Sequence, residues 1–172
     1  MERLQWFERV FTFGLPKRML PFYIERLEGT IHRIEAKVKN VSEEILSNRL
    51  DDKWSVKENI GHLAEVDEIA NSRIDQMIAG ISPLLPAVFE PKPYYELPIR
   101  EVLNAFRDSR TRNIKRYKSL SSSELEKTSL HPRLKVMISP VDLAWFDAEH
   151  DDHHLVRTNE ILSILLSNNN SY

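Results

Sequence analysis

Leu20, Ile24, Leu27, Ile31, Ile34 and Val38 recur at steps of three and four residues, the strongest constraint in the sequence on what it can fold into. A series with that period lies on one face of an α-helix, so a helix is predicted from about Lys17 to Lys39. Gly29 weakens it by roughly 1 kcal/mol relative to alanine, and Pro21 stands near its start, where proline costs least. A second stripe, Val56, Ile60, Leu63, Ala70, Ile74 and Met77, follows Ser55-Val56-Lys57-Glu58, which reads as a capping box. Gly80 is its expected left-handed stop. A third helix is predicted from Ile99 to about Leu120, carrying Val102, Leu103, Phe106, Ile114 and Tyr117. The fourth opens at Ser139-Pro140, an N-cap followed by proline, and continues through Phe146, His150, His154, Ile161 and Leu165 until Asn168-Asn169-Asn170 frays it. Four stripes that must each be buried predict an all-α four-helix bundle.

The connections shape the topology. Ile81 to Pro98 holds five of the nine prolines, so it is an extended connector whose Leu84, Leu85, Val88, Phe89, Tyr94 and Tyr95 should pack along the bundle. A connector of that length can cross the bundle, which favours parallel neighbours over strict up-down-up-down order. Residues 121–138 form a second long connection, with a short extended piece expected around Leu134, Val136 and Ile138. Neither a repeat nor a dividing linker is visible. One domain over 1–172 is expected, with residues 1–15 as an N-terminal extension docking on the bundle.

Composition removes several classes of function. Lys and Arg total 24 against 26 Asp and Glu, a net charge of -2, which gives no broad phosphate-binding face and no reason to expect nucleic acid. With no cysteine there is no disulfide, no thiolate ligand and no Cys nucleophile. The longest uncharged apolar stretch, Met77 to Phe89, is broken by Pro83 and Pro86 and falls short of the roughly 20 residues a membrane span needs. Glu2, Arg3, Glu8 and Arg9 interrupt any signal-peptide core, and a cytoplasmic location is expected.

Imidazoles and carboxylates are left to carry chemistry. His150 and His154 stand at i and i+4, about 5–6 Å apart between Cβ atoms on one helix face, so they can take adjacent corners of one metal. They continue the apolar stripe inward, whereas His153 is turned about 100° toward solvent or the rim. A third ligand is required. His62, between the small residues Gly61 and Ala64, is the leading candidate, with His131 and His32 as alternatives. Three neutral imidazoles leave a fourth position open for water or a substrate thiol. Glu58, Asp147 and Asp151 are within helical reach as acceptors for the second ring nitrogens.

Two blocks carry a family likeness. Trp54-Ser55-Val56-Lys57-Glu58-Asn59-Ile60-Gly61-His62-Leu63 and Glu149-His150-Asp151-Asp152-His153-His154-Leu155 resemble the two histidine motifs of the DinB-like superfamily, which includes YfiT-like metal-dependent hydrolases and bacillithiol transferases. The resemblance implies an up-down-down-up four-helix bundle in which His62, His150 and His154 bind one divalent metal. It also implies a homodimer. One departure is Arg157, where many relatives carry Gln.

The function expected is that of a metal-dependent enzyme, a hydrolase or thiol S-transferase acting on a small molecule, with zinc or nickel as the leading metals and iron as a third. A low-molecular-weight thiol would be the co-substrate of a transferase. The alternative is a non-catalytic, stress-related metal-binding or interaction bundle. Among other residues, Trp54 is read as a hydrophobic staple. Trp6, Phe7, Val10 and Phe11 are read as a short docking helix, or else as a cover over a dimer face or the pocket mouth. Arg110, Arg112, Lys115 and Arg116 are read as a solvated basic face from which one residue could reach an anionic substrate.

Overall fold

Each of the four amphipathic stretches is a helix in the computed structural model, which describes residues 3–90 and 92–169; Pro91 of the connector and Asn170 of the polar tail lie outside them. The elements are α1 (Leu20–Val38), α2 (Glu43–Ser47), α3 (Val56–Ile78), α4 (Ile99–Lys118) and α5 (Pro140–Asn169), with a two-residue antiparallel pair, β1 (Ser129–Leu130) and β2 (Met137–Ile138). The first helix starts three residues late, because Lys17–Met19 form a single 3-10 turn ahead of it, and α4 ends at Lys118.

Local signals account for the helix starts. The Ser55 hydroxyl accepts from the Glu58 amide while Glu58 accepts from the Ser55 amide, the reciprocal box expected from the sequence. Asp142 plays the same part for α5, accepting from the Ser139 amide at 2.9 Å while its own amide donates to Ser139 Oγ at 3.2 Å. The other Asp142 oxygen accepts from the amides of Gly14 and Leu15, tying the N-terminal segment to the same helix start. The helix α2 was not anticipated. Five residues are too few to show a period, and only the Ser42 cap marks it.

Side-chain pairs give the helix directions. Residues 67, 71 and 75 of α3 meet residues 110, 113 and 116 of α4 in ascending order, so these helices run parallel. In α1 and α5, Arg26 meets Glu149 and Lys37 meets Asn159, again parallel. By contrast, Glu28 pairs with Lys118 and Glu35 with Arg107, which makes α1 and α4 antiparallel. The bundle is therefore up-down-down-up, and the proline-rich connector supplies the length needed to bring α4 alongside α3 in the same direction.

A polar layer divides the interior. On one side lie Leu20, Leu27, Ile74, Met77, Tyr117 and Leu143; on the other lie Ile34, Ile60, Leu63, Phe106, Leu155 and Ile161. Between them, Arg110 of α4 donates through Nε to both Asp67 oxygens at 3.0 Å, through Nη2 to Asp151 Oδ1 at 2.9 Å and through Nη1 to the Leu27 carbonyl at 2.9 Å. Thr30 and Ser109 hydroxyls donate to Asp151 and Asp67. All four long helices contribute. Arg110 thus belongs to the core and not to the solvated face expected of it. Arg112 and Arg116 do lie outside, paired with Glu68 and Asp75.

Candidate metal centre

Helix α3 carries His62 at the end of its second turn, and α5 runs antiparallel to it with His150 and His154 on the facing side. One ring nitrogen from each of the three lies within 4.8 Å of the other two. His150 Nε2 and His154 Nε2 are 3.3 Å apart. Two imidazole nitrogens bound at 2.0–2.1 Å to one tetrahedral ion would be separated by about 3.3 Å, so the donor set fits such an ion. The ring centroids stand 4.5 to 5.3 Å from one another.

Burial sets the charge of the cluster. Desolvation lowers the His62 pKa to about 4. His150 and His154 are held well below the ordinary value, first by burial and then by neighbouring imidazoles and cations. All three rings are therefore neutral at pH 7, the form in which a ring nitrogen offers a lone pair. Asn59 Oδ1 lies 2.8 Å from His154 Nδ1, so it accepts a hydrogen bond from the Nδ1–H and leaves the lone pair on Nε2. Glu65 approaches His62 Nδ1 at 3.7 Å. His150 Nδ1 is buried without a hydrogen-bond partner among the described residues.

The acceptors expected from spacing are otherwise engaged. Glu58 is taken by the helix cap and by Arg49, Asp151 by Arg110, and Asp147 by the Tyr117 hydroxyl at 3.3 Å. Of those roles only the one at His154 is filled, by Asn59, which spacing alone did not single out, while Glu65 stands near His62 without a hydrogen bond to it. Asn59 lies three residues before His62, a separation that was visible but unremarkable. Of the alternative ligands, His32 is 81% exposed beside Glu35 on α1. His131 accepts at Nδ1 from the amides of Arg133 and Leu134 and lines the neighbouring cavity, outside the cluster. His153 sits at the rim, against Trp6 and Arg3.

Aromatic rings surround the imidazoles. Trp54 is not a staple. The residue it would pack on is the polar Asn59, and its half-exposed ring lies 4.7 Å from that of His62 and stacks over His154 at 6.1 Å. Phe89 of the proline-rich connector covers His62 at 4.8 Å, and Trp6 meets His150 edge-on at 4.8 Å. The N-terminal segment makes only one 3-10 turn, Trp6–Glu8, in place of the expected docking helix, and Trp6 and Phe11 pack on Phe146. This segment contributes Trp6, Phe7, Arg9 and Phe11 to the wall of a cavity of about 400 Å³ that is also lined by the imidazoles and Arg73. Gly61, expected to give His62 room, serves a different neighbour. A Cβ there would overlap the ring of Tyr94, whose hydroxyl donates to Glu65 at 3.1 Å.

Fold and site together define a helical bundle with a buried three-imidazole cluster able to hold a divalent metal. The DinB superfamily sequence profile matches residues 26–156, and the chain belongs to that superfamily. No curated protein is similar enough in sequence to be matched. Among solved structures, YfiT from Bacillus subtilis, described as a probable metal-dependent hydrolase with an unusual four-helix bundle topology, is similar at a TM-score of 0.78, with 16% identity over 91% of this chain and 93% of that one. The mycothiol-dependent maleylpyruvate isomerase is similar at a TM-score of 0.64 and 14% identity, over 85% of this chain; the match spans only 62% of the isomerase. Both likenesses bear on the fold. No helix among the described residues is long and apolar enough to cross a membrane.

Proposed function

We propose that His62, His150 and His154 hold one divalent metal ion, and that the chain is a metal-dependent enzyme acting on a small molecule as a hydrolase or thiol transferase. The observation that carries this reading is the convergence of three desolvated, neutral imidazoles within 4.8 Å at one end of a cavity. The described neighbours, a probable metal-dependent hydrolase and a mycothiol-dependent isomerase, favour metal-dependent hydrolysis and chemistry that involves a thiol. Zinc or nickel is the expected ion and iron the third, since imidazole ligands suit all three.

When bound, such an ion supplies Lewis-acid chemistry, lowering the pKa of a water or thiol. The chain's own residues prepare the place for it. Asn59 fixes the His154 tautomer, burial keeps the rings unprotonated, and Trp6, Trp54 and Phe89 pack against the imidazoles. Glu65 is the carboxylate nearest the His62 ring. The protein is expected to act in the cytoplasm and as a homodimer.

Elemental analysis of tag-free protein, beside His62→Ala and His150→Ala, tests the reading. About one equivalent of zinc, nickel or iron in the wild type, lost from both variants, is the expected result. Failure of the wild type to hold or take up any of these ions would overturn it.

A further inference from the structure

The cavity has a second polar end. Arg73 stands eleven residues after His62 on α3, three helical turns and about 16 Å of rise along the same stripe. Its side chain lines the cavity and is nine-tenths buried, yet it makes no ion pair or hydrogen bond among the described residues, and its Nε is a buried donor without an acceptor. An arginine so placed is costly, because a guanidinium out of water normally has a carboxylate fork or carbonyls around it. Arg110, in the polar layer of the same bundle, shows what a satisfied one looks like.

A second unmatched donor adjoins it. The Arg133 and Leu134 amides occupy His131 Nδ1, which places the ring proton on Nε2, and Nε2 is buried with no partner. Arg133 also lines this end, over the ring of Phe7. The one acidic side chain in the cavity wall is Asp147. Burial and the neighbouring Asp67 charge raise its pKa to about 8, so at neutral pH it is largely protonated and is a poor counter-ion for Arg73. Between this end and the imidazoles the walls are apolar, formed by Val66, Ile69, Phe11 and Phe146.

We infer that Arg73 and His131 form an anion subsite, and that the molecule bound in the cavity is a small amphiphile with an apolar body and a carboxylate or similar oxyanion at the end remote from the imidazoles. Assigning that molecule as substrate rests on the metal-enzyme reading; the subsite itself stands on Arg73 and His131. The oxyanion accepts from Arg73 and His131 Nε2, charge-assisted bonds that a neutral analogue cannot replace. The apolar body fills the aromatic middle of the cavity, which sets the reacting group toward His62, His150 and His154.

Calorimetric titration of metal-free protein with hexanesulfonate, a weak metal ligand, and with 1-hexanol reads the subsite directly. The sulfonate is expected to bind at least about tenfold more tightly than the alcohol, and Arg73→Gln to abolish the difference while Arg73→Lys keeps part of it. Because the titration is made on metal-free protein, its outcome does not depend on whether the imidazoles hold a metal, so failure of the metal reading, which elemental analysis reports, and failure of this one are separable. Should the Arg73 variants not fold, the wild-type Arg73 Nε–H resonance is the readout, and it should shift on adding sulfonate and not on adding hexanol. Equal affinities in the wild type, a preference that survives Arg73→Gln, or binding without movement of that resonance would each overturn the proposal.

Discussion

Two buried polar groupings lie close together in the bundle and differ in how their bonding capacity is met. In the layer around Arg110, two carboxylates, two hydroxyls and a backbone carbonyl surround one guanidinium. Around His62, His150 and His154, the described protein groups satisfy one ring nitrogen through Asn59 and leave His62 Nδ1 and His150 Nδ1 buried without partners. Burial of polar groups is expensive in both places. The first grouping is closed by the protein itself and ties four helices to one register. The second keeps buried ring nitrogens that the described protein groups do not engage. Saturation, more than burial, separates a structural polar cluster from a binding one.

The largest predicted effect tests the closed side of that contrast. Arg110→Met strands Asp67 and Asp151 in the interior, and should lower the unfolding free energy by about 3–5 kcal/mol in denaturant titrations. His150→Ala, measured on metal-free protein, removes a ring that the protein does not bond through Nδ1 and should cost much less. If the two variants proved equally destabilising, the histidine cluster would be as structural as the arginine layer.

The sequence made one side of this contrast easier to see than the other. His150 and His154 are a local pair, and helical spacing alone sets them on one face; the stripes likewise announced the four long helices and the capping box at Ser55. Arg110 was hidden by its neighbours. Arg112, Lys115 and Arg116 give that stretch a solvated look, and only the crossing order of the helices turns one of the four inward. Asn59 and Arg73 were missed for a related reason. Both lie on α3, Asn59 one turn before His62 and Arg73 three turns after it, but periodicity says which residues share a face and not which helix that face meets. The N-terminal segment followed a different rule, since its aromatic spacing suits a helix while its contacts with α5 hold it in a single 3-10 turn. Small neighbours put His62 ahead of His131 and His32, and the family likeness added the three-histidine ligand set as a whole.

A smaller effect sharpens how the open cluster is walled. Alanine at position 61 adds a methyl that overlaps the Tyr94 ring, and Tyr94 is anchored to Glu65, the carboxylate nearest His62. Overpacking of this kind outweighs alanine's better helix propensity, so Gly61→Ala should destabilise the protein by about 1–2 kcal/mol. A double-mutant cycle isolates the cause: in a Tyr94→Ala background the same substitution should become neutral or stabilising. A cost that persisted there would mean the methyl meets something other than Tyr94.

The smallest predicted effect concerns the start of the helix that carries His62 and Asn59. Burial raises the Glu58 pKa, but hydrogen bonds from Arg49 and Ser55 outweigh it and leave the carboxyl below its ordinary 4.5. A carboxyl whose pKa falls on folding contributes stability that is fully present above the ordinary value and is lost as pH drops through the lowered one. Arg49 is about half exposed, with 47% of its side chain accessible, so solvent screens the pair and the contribution is modest. Glu58→Gln should therefore differ from wild type at pH 7, and the two unfolding curves should converge as the pH falls through the lowered Glu58 value, below the ordinary 4.5. A difference unchanged by acid would show that the cap depends on Glu58 as a hydrogen-bond acceptor alone, with its charge contributing nothing to the helix that presents His62.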